Sequence, residues 1–296
     1  MTTTTHLVMG LHGSGKTTFA AALWHLVDMG EVNTSLVKGT HRGDFRYLES
    51  IAEDWAEGWQ VKRTNTDQIE PVRINLRYPG LIDDVTLEFA DLSGETYEHA
   101  FTRRLAKPMF LDLVQQMEGL LLFVSADRLV DGVTIADVAA RAPELAAPES
   151  DGDHEPETEW DPDKTPQQVQ LADLLQIVSY PPHGKRPSRI AVIVSAWDLA
   201  PTPNDPDTWL AERMPLLDQL LRSHASEIPY RVYGVSAQGG RLPKREEPGV
   251  ASDRDELLGH ARPSTRIQVV GHGAGQHDLT HPIRWLSGLE PRDGTG

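Results

Sequence analysis

Short apolar runs alternate with segments of helical period through most of the chain, the pattern of β–α units around a mostly parallel sheet. His6 to Met9 predicts a first strand, and Lys16 to Met29 predicts a helix stopped at Gly30. Phe45, Leu48, Ile51, Ala52, Trp55 and Trp59 recur at helical spacing and predict an amphipathic helix, followed by the polar stretch Val61 to Gln68. Val72 to Tyr78 and Val85 to Ala90 then predict a strand pair, followed by a helix around Met109 to Met117 and a buried strand, Leu120 to Ser125. Farther on, the same patterning predicts a helix at Val169 to Val178, a strand at Ile190 to Ser195, a helix at Trp209 to Ser223 and a strand at Tyr230 to Val235. The chain closes with a strand, Ile267 to Val270, and a short helix around Pro282 to Leu286. Residues 239–264, rich in Gly, Pro and charge, read as an irregular excursion before those last two elements, and no internal repeat is visible.

Composition narrows this picture. With 296 residues and 39% hydrophobic content, one large domain over 1–296 carrying insertions is expected rather than two full domains. No cysteine is present, which excludes disulfides and thiolate metal sites and fits a reducing cytoplasm. No secretory leader is expected, because Met1 to Thr5 lack a basic region and Leu7 to Met9 is too short an apolar core. The apolar runs Gly119 to Val124 and Ile190 to Val194 are strand length, so no membrane partner is expected. A net charge of −16 repels a phosphate backbone, so no direct nucleic-acid partner is expected either. Eight carboxylates lie between Glu149 and Asp163, together with Pro156 and Pro162. Such a stretch cannot bury enough apolar surface to offset the entropy of ordering, so residues 144–166 read as a disordered acidic insertion. A calcium loop is the competing reading, but no glycine stands at the sharp turn an EF-hand requires.

Gly10-Leu11-His12-Gly13-Ser14-Gly15-Lys16-Thr17 matches G-x-x-x-x-G-K-[ST], with a predicted strand before it and an Ala-rich helical stretch behind it. Glycines let successive backbone N–H groups converge on phosphate oxygens, and the helix N-terminus adds positive potential. Gly10, His12, Gly13, Ser14, Gly15, Lys16, Thr17 and Thr18 are therefore the expected phosphate-binding set, with Lys16 bridging the β- and γ-phosphates and the Thr17 hydroxyl on Mg²⁺. His12 reads as a spectator within the loop, with a part near the γ-phosphate as its alternative. A second glycine run, Gly271-His272-Gly273-Ala274-Gly275, does not fit G-x-G-x-x-G and reads as a turn. His260, His272, His277 and His281 fit no compact zinc spacing.

Asp91-Leu92-Ser93-Gly94 places a D-x-x-G at the end of a predicted strand. A carboxylate there can hold Mg²⁺ through water, and the glycine can offer its N–H to the γ-phosphate. In the polar segment between the two motifs, Thr64 is the expected switch residue over Mg²⁺, with Thr66 second, and Arg63 can reach the transferring phosphate. The expected metal set is thus Thr17, Thr64 and Asp91. The base set is Ser195, Trp197, Asp198, Ser236 and Ala237, at the ends of two predicted strands. Asp198 can accept from the N1–H and N2 amino group of guanine, a donor pair adenine lacks, while backbone N–H groups of Ser236 and Ala237 face the guanine carbonyl.

In this order the motifs resemble those of the Ras-like GTPase superfamily: G-x-x-x-x-G-K-T, a switch threonine, D-x-x-G, a degenerate [NT]-K-x-D, and S-A. More narrowly, the run Gly15 to Trp24, the Trp-rich helix at 45–59, Asp91 to Glu95 and the closing Pro282 to Leu286 resemble the bacterial double-GTPase-like domains, which are associated with multi-gene conflict or defence systems. The resemblance implies an α/β three-layer P-loop NTPase fold, GTP and GDP as ligands, Mg²⁺, a conformational switch, and effector or activating protein partners. Lys16, Arg63, Thr64, Gly94 and Glu95 are then the catalytic set.

Two positions depart from the superfamily pattern. Ala196 stands where a lysine packs along the base, which leaves open a P-loop ATPase with relaxed base selectivity. Glu95 stands where many relatives place a water-orienting glutamine, which leaves open slow or partner-activated turnover, or a nucleotide-bound scaffold.

Overall fold

In the computed structural model, residues 4–40, 45–61, 72–80, 84–89, 95–127, 165–181, 184–200 and 205–289 are described. Their strands are β1 (Thr4–Gly10), β2 (Val37–Lys38), β3 (Val72–Arg77), β4 (Asp84–Phe89), β5 (Gly119–Ser125), β6 (Ile190–Ser195), β7 (Tyr230–Ser236) and β8 (Gln268–Val270). They form one sheet in the order β2-β3-β4-β1-β5-β6-β7-β8. The central five, β4 to β7 in that order, run parallel; β2, β3 and β8 join antiparallel. The fold is therefore α/β with a mostly parallel central sheet.

The inner parallel strands β1, β5, β6 and β7 are buried on both sides, and successive residues feed two separate cores. Val8, Leu121, Phe123, Ala191, Ile193, Tyr233 and Val235 face one core, where α1 (Lys16–Met29), α2 (Arg46–Ala56) and the C-terminal helix His281–Leu286 pack. Leu7, Met9, Leu120, Leu122, Val124, Val192, Val194 and Val232 face the other, covered by α3 (Glu95–Arg103), α4 (Pro108–Gln116), α5 (Gln167–Ser179), α6 (Pro206–Arg213) and α7 (Pro215–Ser223). Continuous apolar runs are what a two-sided strand requires, and helix–sheet–helix layering follows. Helix α1 ends where Gly30 turns left-handed at φ 61° and gives its N–H to the Leu26 carbonyl. In α2 the buried positions are Leu48, Ile51, Ala52 and Trp55, the spacing of one helical face. Among the described residues no helix is long and apolar enough to cross a membrane.

The structure corrects four expectations. The helix expected over Trp209 to Ser223 is two helices, because Pro215 has no N–H to give and biases Met214 out of the helical region, to φ −135° and ψ 57°. Helix α3 and the two-residue β2 were not expected at all. The excursion at 239–264 contains a short helix, Arg254–Leu258, and ends in a 3-10 turn, Pro263–Arg266. The last strand starts at Gln268 rather than Ile267. Gly271 to Gly275 forms the turn after β8, with the Ala274 N–H on the Gly271 carbonyl. The proposed acidic insertion at 144–166 lies outside the described residues, apart from Thr165 and Pro166.

Candidate functional site

Strand β1 lies between β4 and β5; helix α1, which follows β1, packs on one side of the sheet, and α5, the first described helix after β5, packs on the other. Crevices at the carboxyl ends of such strands are where open α/β sheets bind ligands. Gly10, at the end of β1, pairs with Phe123 of β5, and a Cβ on it would stand 2.6 Å from Ser14 Oγ and 2.8 Å from Phe123 Cβ. Gly13 and Gly15 both adopt left-handed backbone, at φ 71° and 87°, which a side chain at either position would strain. Gly15 is also the N-cap of α1, so the loop delivers the chain to the positive end of that helix.

Within this loop Lys16 is almost completely buried. Its Nζ donates to the carbonyl oxygens of Gly10 at 2.6 Å and Leu11 at 2.9 Å, with Ser14 Oγ at 3.4 Å. The Tyr97 ring lies beneath it, 5.8 Å from Nζ to the centroid. Carbonyl dipoles and an aromatic face together offset the loss of hydration of the buried ammonium. Ser14 is buried, while His12, Gly13, Gly15, Thr17 and Thr18 are partly exposed around it. Thr17 thus presents a hydroxyl on the first turn of α1, beside Lys16.

Strands β6 and β7 bring the residues expected to contact the base to the same edge of the sheet. Ser195 closes β6 in register with Val235 of β7, so Ser236 is one residue beyond it. The buried Ser195 hydroxyl donates to the Ser14 carbonyl at 2.9 Å, and Val124 O is 3.2 Å away. A Cβ on Gly15 would stand 2.9 Å from this serine's Cβ and Oγ, so the loop rests directly on β6. After Ser195 the chain turns left-handed at Ala196, φ 53°, into the 3-10 turn Trp197–Leu199. Asp198 on that turn is exposed. The Trp197 indole, by contrast, is buried against Gly234 and edge-on to Trp209, with ring centroids 6.5 Å apart. Its side chain therefore belongs to the core; an aromatic of that size fits here because Gly234 leaves room.

Ser236 is buried and accepts the Gly239 N–H at 3.1 Å. The Ala237 carbonyl accepts from Trp55 Nε1 of α2 at 2.9 Å, and Arg266 stacks on the same Trp55 ring, 4.3 Å from guanidinium to centroid, while donating to the Trp55 carbonyl. Burial pulls the Arg266 guanidinium down to about 10, and the Glu31 carboxylate opposes that shift. Helix α2 and the excursion after β7 are thus joined behind the loop that carries Ser236 and Ala237. Gln60 N–H on the Pro243 carbonyl, 2.9 Å, and Arg245 on Asp54 and Glu57 extend that seam.

Arg63, Thr64, Thr66, Asp91 and Gly94 lie outside the described residues, as does the Glu95 side chain. What is described is the frame on either side: α2 leading to Val61, β4 ending at Phe89, and α3 starting at Glu95. Tyr97 was missed in the sequence, although Tyr97, Ala100 and Phe101 have the i, i+3, i+4 spacing of a helical face directly after the D-x-x-G. Of the three residues expected to hold a divalent cation, only Thr17 is among the described residues; its hydroxyl is a hard oxygen donor of the kind Mg²⁺ takes, and Thr64 and Asp91 lie outside them.

A family model described as Double-GTPase 1 matches residues 7–286. No curated protein matches the chain. Among solved structures, the chain is similar to the GTPase-like domain of Ski7 from S. cerevisiae bound to GTP, at 12% identity and a TM-score of 0.38, over 80% of this chain and 43% of that one. It is also similar to the small GTPase Arl6 (BBS3) of Trypanosoma brucei with bound GppNp, at 13% identity and a TM-score of 0.36, over 80% of this chain and 88% of that one. The chain thus spans less than half the length of the Ski7 structure.

Proposed function

The chain belongs to the Double-GTPase 1 family, and from that premise we propose that it is a Mg²⁺-dependent switch that binds and hydrolyses GTP within a bacterial multi-protein system. The seat of Lys16 carries this reading. Its ammonium is gathered into the phosphate loop by the Gly10 and Leu11 carbonyls, and the loop is braced on Ser195, one strand from Ser236.

In this reading Lys16 holds the β- and γ-phosphates, and the loop residues Gly10 to Thr18 surround the phosphate chain with backbone N–H groups. Asp198 accepts from the guanine edge and Ser236 and Ala237 offer N–H groups to its carbonyl, which fixes the nucleotide end to end. Thr17, Thr64 and Asp91 hold Mg²⁺, which neutralises charge on the phosphates when bound. Thr64 and Gly94 are the switch contacts, Glu95 orients water, and Arg63 stabilises charge on the transferring phosphate. An effector or activating protein would recognise the switch segments, and the cytoplasm supplies GTP.

Ala196 favours a second reading, a triphosphatase of relaxed base preference, because a left-handed alanine leaves no long side chain beside the base. Titration of fluorescent GDP and ADP against wild type and Asp198→Asn separates the two. Tighter GDP binding that the substitution erases is expected; equal affinities unchanged by the substitution would sink the guanine assignment. Phosphate release abolished in Lys16→Ala is expected for an enzyme, and tight GTP binding without turnover points to a scaffold.

A further inference from the structure

Tyr97 stands two residues into α3, three after Gly94, and is completely buried. Its hydroxyl donates to the Val8 carbonyl at 2.7 Å, two residues before Gly10 on the strand that leads into the phosphate loop. The same ring lies 5.8 Å from Lys16 Nζ and meets Phe110 of α4 edge-on at 5.6 Å. One side chain therefore ties the start of α3 both to the floor of the phosphate loop and to its lysine. The Val8 carbonyl belongs to a strand paired on both sides, so Tyr97 takes a second lone pair that the sheet leaves to it.

We propose that Tyr97 is a positioning residue that couples the start of α3 to Lys16, so that the two adopt their triphosphate-holding arrangement together. This rests on the reading of residues 10–17 and 91–94 as the two phosphate-facing segments of a GTP site. A γ-phosphate is held from both segments, whereas a diphosphate is held mainly by the loop. Loss of the tie should therefore weaken triphosphate binding more than diphosphate binding. A tyrosine that only filled the core would affect both nucleotides alike.

The test compares the affinities of wild type and Tyr97→Phe for a non-hydrolysable GTP analogue and for GDP, with thermal midpoints recorded alongside. Phenylalanine keeps the ring and removes only the hydroxyl. The preference for the analogue over GDP is expected to fall about five- to tenfold, what one net hydrogen bond is worth. Phe110→Leu, which loosens the packing of Tyr97 but leaves its hydroxyl, is expected to keep the wild-type ratio. A wild-type ratio in Tyr97→Phe, or an equal fall for both nucleotides, overturns the coupling while leaving the GTP site intact. Failure of the wild type to bind either nucleotide overturns the GTP site itself. Hydrogen exchange on the wild type tests the coupling without any variant: replacing GDP by the analogue should protect residues 4–16 and 95–103 together, and protection of one segment alone overturns the proposal.

Discussion

Acid should unfold this protein through one histidine. His6 lies on β1, toward the end of the strand remote from the phosphate loop, and is completely buried. Its Nε2 is 2.9 Å from Ser287 Oγ, whose single hydrogen goes to the Ile283 carbonyl at 2.8 Å, so Nε2 carries a proton and donates it. Nδ1 is the bare nitrogen; it faces Gly119, where even a Cβ would come within 2.7 Å, and it has no hydrogen-bond partner among the described residues. A proton added there has no acceptor, and burial together with the Arg189 charge pushes the pKa from 6.5 to about 3. The unfolded chain then binds the proton more tightly than the fold does. Stability is full above about pH 6.5 and falls as pH drops toward 3, by about 1.4 kcal/mol per unit. At pH 4.5 the loss is about 3 kcal/mol, a large part of the 5–15 kcal/mol typical of a domain. Urea unfolding followed by tryptophan fluorescence at pH 7.5 and pH 4.5 measures this in wild type and in His6→Gln, whose amide can still donate to Ser287. Wild type should lose about 3 kcal/mol more than the variant between the two pH values, since carboxylates elsewhere contribute equally to both. Parallel losses would refute the assignment of the acid sensitivity to His6.

Two further substitutions probe the site itself. Gly15→Ala should abolish nucleotide binding in the fluorescence titration, because a Cβ at φ 87° is strained and would stand 2.9 Å from Ser195; adding Ser195→Gly should restore the space but not the backbone, and so recover only part of the affinity. Gly234→Ala drives a methyl to within 2.4 Å of the Trp197 indole and should lower stability by about 1–3 kcal/mol through overpacking. Because Trp197 anchors the turn that carries Asp198, the same variant should narrow the GDP over ADP preference, and a thermal melt paired with the two titrations checks both effects.

The parts of the fold legible in the sequence are those with strong local patterning. The apolar run before Gly10 and the Ala-rich run after Lys16 mark β1 and α1 without help from the rest of the chain. The strand pair β3 and β4 is marked by alternating apolar and polar residues, and β5 and β6 are equally plain because two-sided burial writes itself as a continuous apolar run. Helix α3 is hidden because only Tyr97, Ala100 and Phe101 carry its apolar face in a nine-residue, mostly polar stretch, and the break at Pro215 is masked by helical periodicity that continues on either side of it. The inward turn of Trp197 was illegible because it depends on the absence of a side chain at Gly234, on a different strand. Likewise the bond from Ser195 to Ser14 joins residues 181 positions apart and becomes visible only when β6 is laid beside the loop. Sequence order placed Lys16, Asp198 and Ser236 in one list; parallel pairing of β1, β5, β6 and β7 places the segments that carry them along one edge.

The ends of the sheet have a consequence for how copies of this chain behave in company. At one margin stands β2, two residues long, whose Lys38 bonds Asp28 and lies over Trp24; at the other stands β8, three residues long, with its Val269 N–H given to the Gln276 carbonyl. Among the described residues neither margin offers a run of main-chain groups long enough to template a foreign strand. A broad sheet rich in Val, Ile and Leu would polymerise readily if such a margin were bare. Here the aggregation hazard sits in the interior strands and is released only by unfolding, which makes the acid range set by His6 the condition under which fibres should first form.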